Sequence, residues 1–334
     1  MLEIIEQYFY LGALIVFGVG IVVWIPYRAV RRGDAMAENP DVCPGFRPAD
    51  GLAYFCACMI VFLLTAPYLQ TAFGLWGLLL TELLLLAPAL VMPLLTRLPP
   101  GRLFPMRRPS ARHTAGGVFL WIGAMLGASI GTSLLLLIFP GMAQDTEPMT
   151  EFMRSGDMAV RLLCLVLAPA ICEELFHRGV VLSSLRGRFN DAFIVVVMGL
   201  LFGVFHMDPP RFLSTAILGM ALTYAALRAR SVLLPIVLHC INNLLSVGVD
   251  FMLENSDAVA DANAMDLSEA DMALLSLTGQ GLIALLALLT LTLGYVLLRD
   301  EKRRLSGRKN PIVLAAAAMA LALAAQAAIT VVRL

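Results

Sequence analysis

Long apolar runs follow one another along almost the whole chain. These runs, about ten in number, approach the roughly 20 residues that a helix needs to cross the hydrocarbon core of a bilayer. They cover residues 9–26, 52–69, 73–95, 114–139, 158–185, 192–207, 212–227, 232–253, 272–298 and 312–332. Only 14% of the 334 residues are charged, too few to cover a water-facing surface. The sequence therefore predicts an all-α fold, a polytopic transmembrane helix bundle with about ten spans.

The charges between the runs change sign from one loop to the next. The basic residues are Arg28, Arg31 and Arg32; Arg97, Arg102, Arg107, Arg108 and Arg112; Arg186 and Arg188; Arg228 and Arg230; and Lys302, Arg303, Arg304, Arg308 and Lys309. The acids of the alternate loops are Asp145, Glu147, Glu151, Glu254, Asp257, Asp261, Asp266, Glu269 and Asp271. Because basic loops stay in the cytoplasm, we expect both termini to be extracytoplasmic. We expect the protein to lie in the plasma (inner) membrane.

Several classes of protein are disfavoured by the composition. The net charge is zero, so no basic surface suggests a nucleic-acid partner. The six cysteines include no Cys-x-x-Cys pair, and we expect packing thiols rather than disulfides or a zinc knuckle. Glu3 and Glu6 make the start acidic, whereas a signal peptide starts basic. We therefore expect the first run to be a retained span.

A pair of carboxylates ends the apolar stretch 162–171. Ionisable groups inside the membrane are costly, and functional by default. Glu174 and Arg178 are four residues apart, on one helix face, where they can form an ion pair. Glu173 lies about 100° around the helix and shares its face with His177. The alternative interpretation is a helix end at the interface, with Arg178 snorkelling toward the cytoplasm.

Two further spans carry histidines. His206 lies one turn beyond Phe202, and the pair Gly199 and Gly203 permits close approach of a neighbouring helix. An interfacial histidine is the alternative for His206, since Asp208-Pro209-Pro210 follows.

The second histidine, His239, is followed by Asn242 and Asn243 in the middle of the run 232–253. His239 and Asn243 are i and i+4, so both can point into one cavity. Hydrogen bonds between helices are the alternative for this group. Glu82 lies alone in the third run, and the sequence gives it no functional interpretation beyond pairing with another helix.

Together these residues supply a carboxylate base, imidazoles and amide donors, the groups that hydrolysis needs. Two other classes stay open. A transporter or proton channel would use Glu173, His206 and His239 as a relay, and a noncatalytic membrane scaffold would keep the same residues without using them.

At these positions the chain resembles the CAAX-protease and bacteriocin-processing (Abi) family of intramembrane metallopeptidases. The resemblance covers roughly residues 158–247. It suggests three parts: N-terminal transmembrane helices (1–157), a catalytic core (158–250), and an acidic outer loop with C-terminal transmembrane helices (251–334). The matching motifs are Glu173-Glu174-x-x-x-Arg178, Phe202-x-x-x-His206 and His239-x-x-x-Asn243.

The resemblance implies peptide-bond hydrolysis by water that Glu173 activates as general base, with His206 assisting. His239 and Asn243 would stabilise the oxyanion. The implied substrate is a membrane-associated or prenylated peptide or protein, met in the lipid bilayer.

The resemblance also implies supporting roles and a metal. Glu174 would hold the water or the base, with Arg178 as its ionic partner. Because the family is described as metallopeptidases, Glu173, His206 and His239 could ligate Zn²⁺ and leave a position open for water. A metal-free mechanism uses the same residues, and both interpretations stay open.

Overall fold

The computed structural model describes residues 2–30, 39, 41–140, 147–254, 268–299 and 311–333. Within these ranges the regular structure is helical, and no strand occurs. The helices are α1 Leu2–Val30, α2 Pro48–Phe73, α3 Leu75–Thr96, α4 Pro100–Leu103, α5 Ala111–Ile138, α6 Glu147–Arg154, α7 at residues 158–185, α8 Asp191–Phe205, α9 Pro209–Ala229, α10 Leu233–Glu254, α11 Glu269–Leu298 and α12 Pro311–Arg333. The all-α polytopic bundle is therefore confirmed.

Seven described helices are long and apolar enough to cross a membrane: α2, α3, α5, α9, α10, α11 and α12. Two shorter apolar helices cover Tyr10–Ile25 and Asp191–Phe205. The predicted run 158–185 is also helical, but it contains the charged residues of the first motif. The predicted count of about ten spans is not confirmed by these helices.

Several charges used for the orientation lie outside the described residues. They are Arg31, Arg32, Asp145, Asp257, Asp261, Asp266, Lys302, Arg303, Arg304, Arg308 and Lys309. The cytoplasmic placement of the basic loops and the extracytoplasmic termini therefore stay predictions.

The chain divides into two compact units, each made of two separate stretches of sequence. The first unit comprises Met1–Arg107 and Glu147–Ile194. In it, α2 packs against α1 and α3, and both α2 and α3 pack against α7. α7 is thus held inside the first unit by two long apolar helices.

The second unit comprises Arg108–Thr146 and Val195–Leu334. Its central helix is α5, which packs against α9, α10, α11 and α12. Gly123 permits close approach of α5 to α11, since a Cβ there would lie 2.7 Å from the backbone nitrogen of Leu291. The division of the chain into three consecutive parts, at residues 1–157, 158–250 and 251–334, stays a prediction.

Candidate active site

The predicted carboxylate pair lies on α7, a continuous helix made of five segments. Two of them, Leu162–Leu167 and Leu175–Val181, are π-helical, with hydrogen bonds that reach one residue further than in an α-helix. The α-helical segment between them, Ala168–Glu174, ends with both carboxylates. π-Helical segments are rare and occur frequently at functional sites. The winding of α7 therefore changes directly beside Glu173 and Glu174.

Glu174 and Arg178 form a fully buried ion pair. The Nη1 of Arg178 donates to Oε1 of Glu174 at 2.7 Å, and neither side chain has any exposed surface. The ion pair predicted from the i, i+4 spacing is confirmed. The alternative, with Arg178 snorkelling toward the cytoplasm, is wrong because the guanidinium meets its partner inside the protein.

Glu173 and His177 lie on one side of α7, as their spacing predicts. The Nδ1 of His177 is 2.9 Å from the backbone carbonyl oxygen of Glu173. A carbonyl oxygen only accepts, so Nδ1 carries the proton in the neutral ring and Nε2 the lone pair. The imidazole packs edge-on against Phe176 at 4.6 Å between ring centroids. Glu173 and His177 are both buried.

Tight packing holds α7 in place at two glycines. A Cβ at Gly179 would lie 2.5 Å from Cδ1 of Phe104, and a Cβ at Gly51 of α2 would overlap the side chain of Ser184. Atoms this close would have to move, so only glycine fits either position. The backbone that carries the two carboxylates is thus fixed by close neighbours.

Glu82 is a third buried carboxylate in the same unit. It lies on α3, which packs against the Ala168–Glu174 segment of α7, and only 4% of it is exposed. Its Oε2 is buried and has no hydrogen-bond partner among the described residues. The sequence analysis assigned no function to Glu82, and the structure places it on a helix that packs against the helix of Glu173.

His206 lies directly after the end of α8. This helix has 15 residues and rises roughly 22 Å at 1.5 Å per residue, less than the roughly 30 Å of bilayer hydrocarbon. The next helix, α9, begins at Pro209 and is long enough to cross a membrane, so an interfacial His206 stays an alternative. Its Nδ1 lies 2.8 Å from the carbonyl oxygen of Phe202, so the neutral ring carries its lone pair on Nε2.

The ring of Phe202 lies between the two histidines of the second unit. Its centroid is 4.8 Å from that of His206 and 5.8 Å from that of His239, both in edge-to-face geometry. Phe202 is 3% exposed and His239 is 6% exposed. One buried aromatic ring therefore contacts both imidazoles.

Glycines let α8 and α9 approach each other closely. A Cβ at Gly199 would lie 2.7 Å from the carbonyl oxygen of Ala216, and one at Gly203 would lie 2.9 Å from that of Phe212. The close helix approach predicted from the Gly199 and Gly203 pair is confirmed. On the facing helix, a Cβ at Gly219 would lie 2.7 Å from Cβ of Phe202.

The asparagines of α10 form a hydrogen-bonded chain that begins on α5. The Nε1 of Trp121 donates to Oδ1 of Asn242 at 3.2 Å, and Nδ2 of Asn242 donates to Oδ1 of Asn243 at 3.3 Å. The alternative of an interhelical hydrogen bond is thus correct for Asn242. Sequence reasoning missed Trp121, although a tryptophan buried in a span usually needs a partner for its N–H group.

Each unit assembles its own part of the predicted site. The first holds Glu173, Glu174 and Arg178, and the second holds His206, His239 and Asn243. That these six residues act in one site stays a prediction.

The predicted zinc ligands have suitable chemistry, since one carboxylate and two imidazoles are donors that zinc prefers. Among the described residues, no group of three or more His, Cys, Asp or Glu side chains is arranged to hold a metal ion. The zinc set Glu173, His206 and His239 stays a prediction. All six cysteines are free thiols.

Comparison with known families identifies the segment that carries the motifs. Residues 155–245 match the family model described as type II CAAX prenyl endopeptidase Rce1-like. The CAAX-protease resemblance predicted from the three motifs is confirmed for this segment.

One curated relative is the uncharacterized protein YyaK of Bacillus subtilis (strain 168). It is 30% identical over 112 residues, which cover 30% of this chain and 37% of that protein. The match thus spans well under half of either chain. No solved structure gives a significant match.

Proposed function

We propose that the chain is an intramembrane endopeptidase that hydrolyses peptide bonds of membrane-associated or prenylated proteins with water activated by Glu173. The family match at residues 155–245 supports a membrane endopeptidase in general. Beyond that match, the glutamate mechanism and the class of substrate are our proposal.

The observation that carries the proposal is the buried arrangement on α7. Two adjacent carboxylates are 6% and 0% exposed inside an apolar bundle, and a buried arginine binds the second of them at 2.7 Å. Burying three ionisable groups costs stability that an apolar core would not lose. Such a cost is expected where the groups perform chemistry.

The first step is the attack of water. The Glu173 carboxylate accepts a proton from the water, and the water oxygen forms a bond to the carbonyl carbon of the scissile peptide. His206, whose neutral ring carries its lone pair on Nε2, assists by accepting a hydrogen bond from the same water. A base positioned in this way contributes typically 10²- to 10⁴-fold to the rate.

The second step is collapse of the tetrahedral intermediate. The carbonyl electron pair has moved onto oxygen, and His239 and Asn243 donate hydrogen bonds to this oxyanion. The C–N bond then breaks, and the proton held by Glu173 passes to the leaving nitrogen. The products are a carboxylic acid and an amine, so atoms and charges balance.

Glu174 and Arg178 support the base rather than react. The ion pair fixes Glu174, which can hold the water or orient Glu173 beside it. The guanidinium also supplies positive charge next to two acids that would otherwise repel each other.

The resemblance to metallopeptidases implies a zinc ion at these residues. Glu173, His206 and His239 would hold it, and it would lower the pKa of a bound water. No step above depends on it. Metal analysis of the purified protein, together with cleavage measured before and after chelation, distinguishes the two mechanisms.

The test is cleavage of a membrane-tethered, prenylated peptide by the purified full-length protein in lipid. Glu173→Ala is expected to lower turnover about 10²- to 10⁴-fold without changing thermal unfolding. Glu151→Gln is a matched control, because Glu151 is an exposed acid on α6 and its turnover should be unchanged. Undiminished cleavage by Glu173→Ala excludes Glu173 as the base. Ion flux in liposomes without any cleavage would instead support the transporter alternative.

A further inference from the structure

We infer that Trp121 and Asn242 form a positioning relay that turns the amide of Asn243 so that its NH₂ group faces the substrate. The inference rests on the proposed function, in which Asn243 donates to the oxyanion. It adds two residues to the site, and one of them lies on α5, outside the segment that matches the family.

The donor-to-acceptor direction of the hydrogen bonds in the relay is determined by Trp121, where the relay begins. An indole Nε1–H only donates, so the atom of Asn242 that meets Trp121 must be the amide oxygen. The Asn242 amino group is then directed to Asn243, at 3.3 Å. An amino group needs an acceptor, so Asn243 presents its own oxygen to Asn242. The NH₂ group of Asn243 is left pointing away from the relay.

Trp121 is a rigid starting point for this chain. It is 7% exposed and belongs to a buried cluster with Leu222, Ala225, Leu234 and Leu238. The cluster joins α5 to α9 and α10 and ends one residue before His239. The indole therefore has little freedom to move when the substrate binds.

The orientation of the Asn243 amide decides whether it helps or hinders the reaction. An oxyanion accepts hydrogen bonds, so an NH₂ group stabilises it and an amide oxygen repels it. The two faces of an asparagine amide have nearly the same shape, and packing alone separates them poorly. A hydrogen-bonded chain that starts from a one-way donor selects the productive orientation before the substrate arrives.

Trp121→Phe tests the relay because it removes the N–H donor and keeps an aromatic ring. We expect kcat to fall about tenfold, the ratio that one neutral hydrogen bond can maintain, with KM changed less than about twofold. Trp76→Phe is the matched control: Trp76 is 52% exposed, and kcat should be unchanged. A Trp121→Phe enzyme with wild-type kcat overturns the inference.

Asn242→Asp reverses the second link without breaking the first. A carboxylate still accepts from Trp121, but its other oxygen attracts the NH₂ group of Asn243 away from the substrate. We expect kcat to fall about 10²- to 10³-fold, the loss seen when an oxyanion donor is removed. Turnover equal to that of the wild type would contradict the relay.

A double-mutant cycle separates positioning from general damage. If Trp121 acts through Asn243, Trp121→Phe causes no further loss of kcat in an Asn243→Ala background. Losses that multiply overturn the relay. If Asn243→Ala alone cleaves like the wild type, the oxyanion role of Asn243 fails and the relay with it, a pattern distinct from a failure confined to Trp121.

The first link can also be measured without catalysis. In a protein that carries Trp24→Phe and Trp76→Phe, the indole N–H vibrational band reports on Trp121 alone. We expect Asn242→Leu to move this band to the frequency of an indole without a hydrogen bond, and Asn242→Asp to retain the bonded frequency. If the frequency of the indole N–H band does not change with Asn242→Leu, the hydrogen bond between Trp121 and Asn242 is excluded, even if no substrate is cleaved.

Discussion

At the scale of single residues, Arg178 and Glu174 are expected to have the largest effect on the stability of the protein. Both side chains are removed from solvent completely, and they meet at 2.7 Å. Each charge is tolerated because the other is present, since an unpaired ion in an apolar interior is strongly disfavoured. The stability of the pair therefore depends on keeping or removing both members together.

Arg178→Met is expected to destabilise the protein by about 3–5 kcal/mol, because it leaves the Glu174 charge buried without its cation. Adding Glu174→Gln should restore most of that loss. Unfolding in detergent measures both variants, with the exposed Arg108→Met as a control that changes stability by less than about 0.5 kcal/mol. A double variant as unstable as the sum of its single changes would contradict this explanation.

The ion pair of Glu174 and Arg178 could be predicted from the sequence, whereas the hydrogen bond between Trp121 and Asn242 could not. Glu174 and Arg178 are four positions apart, so helix geometry alone predicts their contact. Trp121 and Asn242 are 121 positions apart, and no local rule connects them. Their hydrogen bond depends on which face of α5 packs against α10, which is a property of the tertiary structure.

At the scale of helices, the close contact between α8 and α9 involves Phe202, whose ring contacts both imidazoles. Phe202 packs edge-on against His206 and His239, and the absence of a side chain at Gly219 makes room for it. A Cβ added at Gly219 must move Phe202, the residue that contacts both histidines.

Gly219→Ala is therefore expected to destabilise the protein by about 1–3 kcal/mol, as overpacking does, and to lower kcat for peptide cleavage. Gly248→Ala is the matched control on α10. A Cβ at Gly248 meets nothing within 4 Å, so the higher helix propensity of alanine should leave stability unchanged or raise it by up to about 1 kcal/mol. Equal effects of the two substitutions would show that the close contact does not matter.

The segment 41–47 is a second element with a measurable prediction. Arg188 donates from Nη2 to the carbonyl oxygens of Cys43 and Phe46 at 3.3 and 3.4 Å, which fastens the segment beside the end of α7. Cys43 is 3% exposed, and burial raises the pKa of its thiol despite nearby arginines. A protonated, buried thiol reacts slowly with alkylating reagents.

Arg188→Ala is expected to speed alkylation of Cys43 near pH 8 about tenfold or more, because it removes the hydrogen bonds that hold the segment over the thiol. Losing the Arg188 charge also raises the pKa of the thiol, but this charge has the smallest effect among those that act on Cys43, so the gain in exposure outweighs it. The rate is measured in a protein whose other five cysteines are replaced by alanine. Arg108→Ala is the control, since Arg108 is exposed and makes no hydrogen bond to this segment. Identical rates in the two variants would refute the role of Arg188.

The apolar runs predicted most helices, but not their detail. The run 192–207 became α8, which ends at Phe205 because Asp208-Pro209-Pro210 begins the next helix. The π-helical segments of α7 could not be predicted, since hydropathy does not show where a helix takes one extra residue per turn. These segments depend on the neighbours that pack around α7.

At the scale of the whole molecule, helices that are neighbours in the sequence are not always neighbours in the packing. Each unit combines two distant stretches of the chain. α5 belongs to the unit that contains His206 and His239, whereas its sequence neighbours α3 and α4 belong to the other unit. Hydrophobic runs reveal how many helices there are, but not which ones pack together, since every run is similarly apolar. The confirmed family match covers residues 155–245, so α5 and its Trp121 lie outside it.

If Glu173, His206, His239 and Asn243 catalyse one reaction together, the effects of their substitutions on the rate depend on one another. Groups that act as a unit in catalysis have effects that do not add, because losing one removes the benefit of the rest. Glu173 and His239 belong to separate units of the fold but to the same proposed reaction.

The most direct measurement is kcat for cleavage of a membrane-tethered, prenylated peptide by Glu173→Gln, His239→Gln and the double variant. The proposed mechanism predicts that each single variant loses at least about 10²-fold and that the double variant is scarcely slower than the worse of the two. Single variants that retain wild-type turnover, or losses that multiply in the double variant, would contradict it.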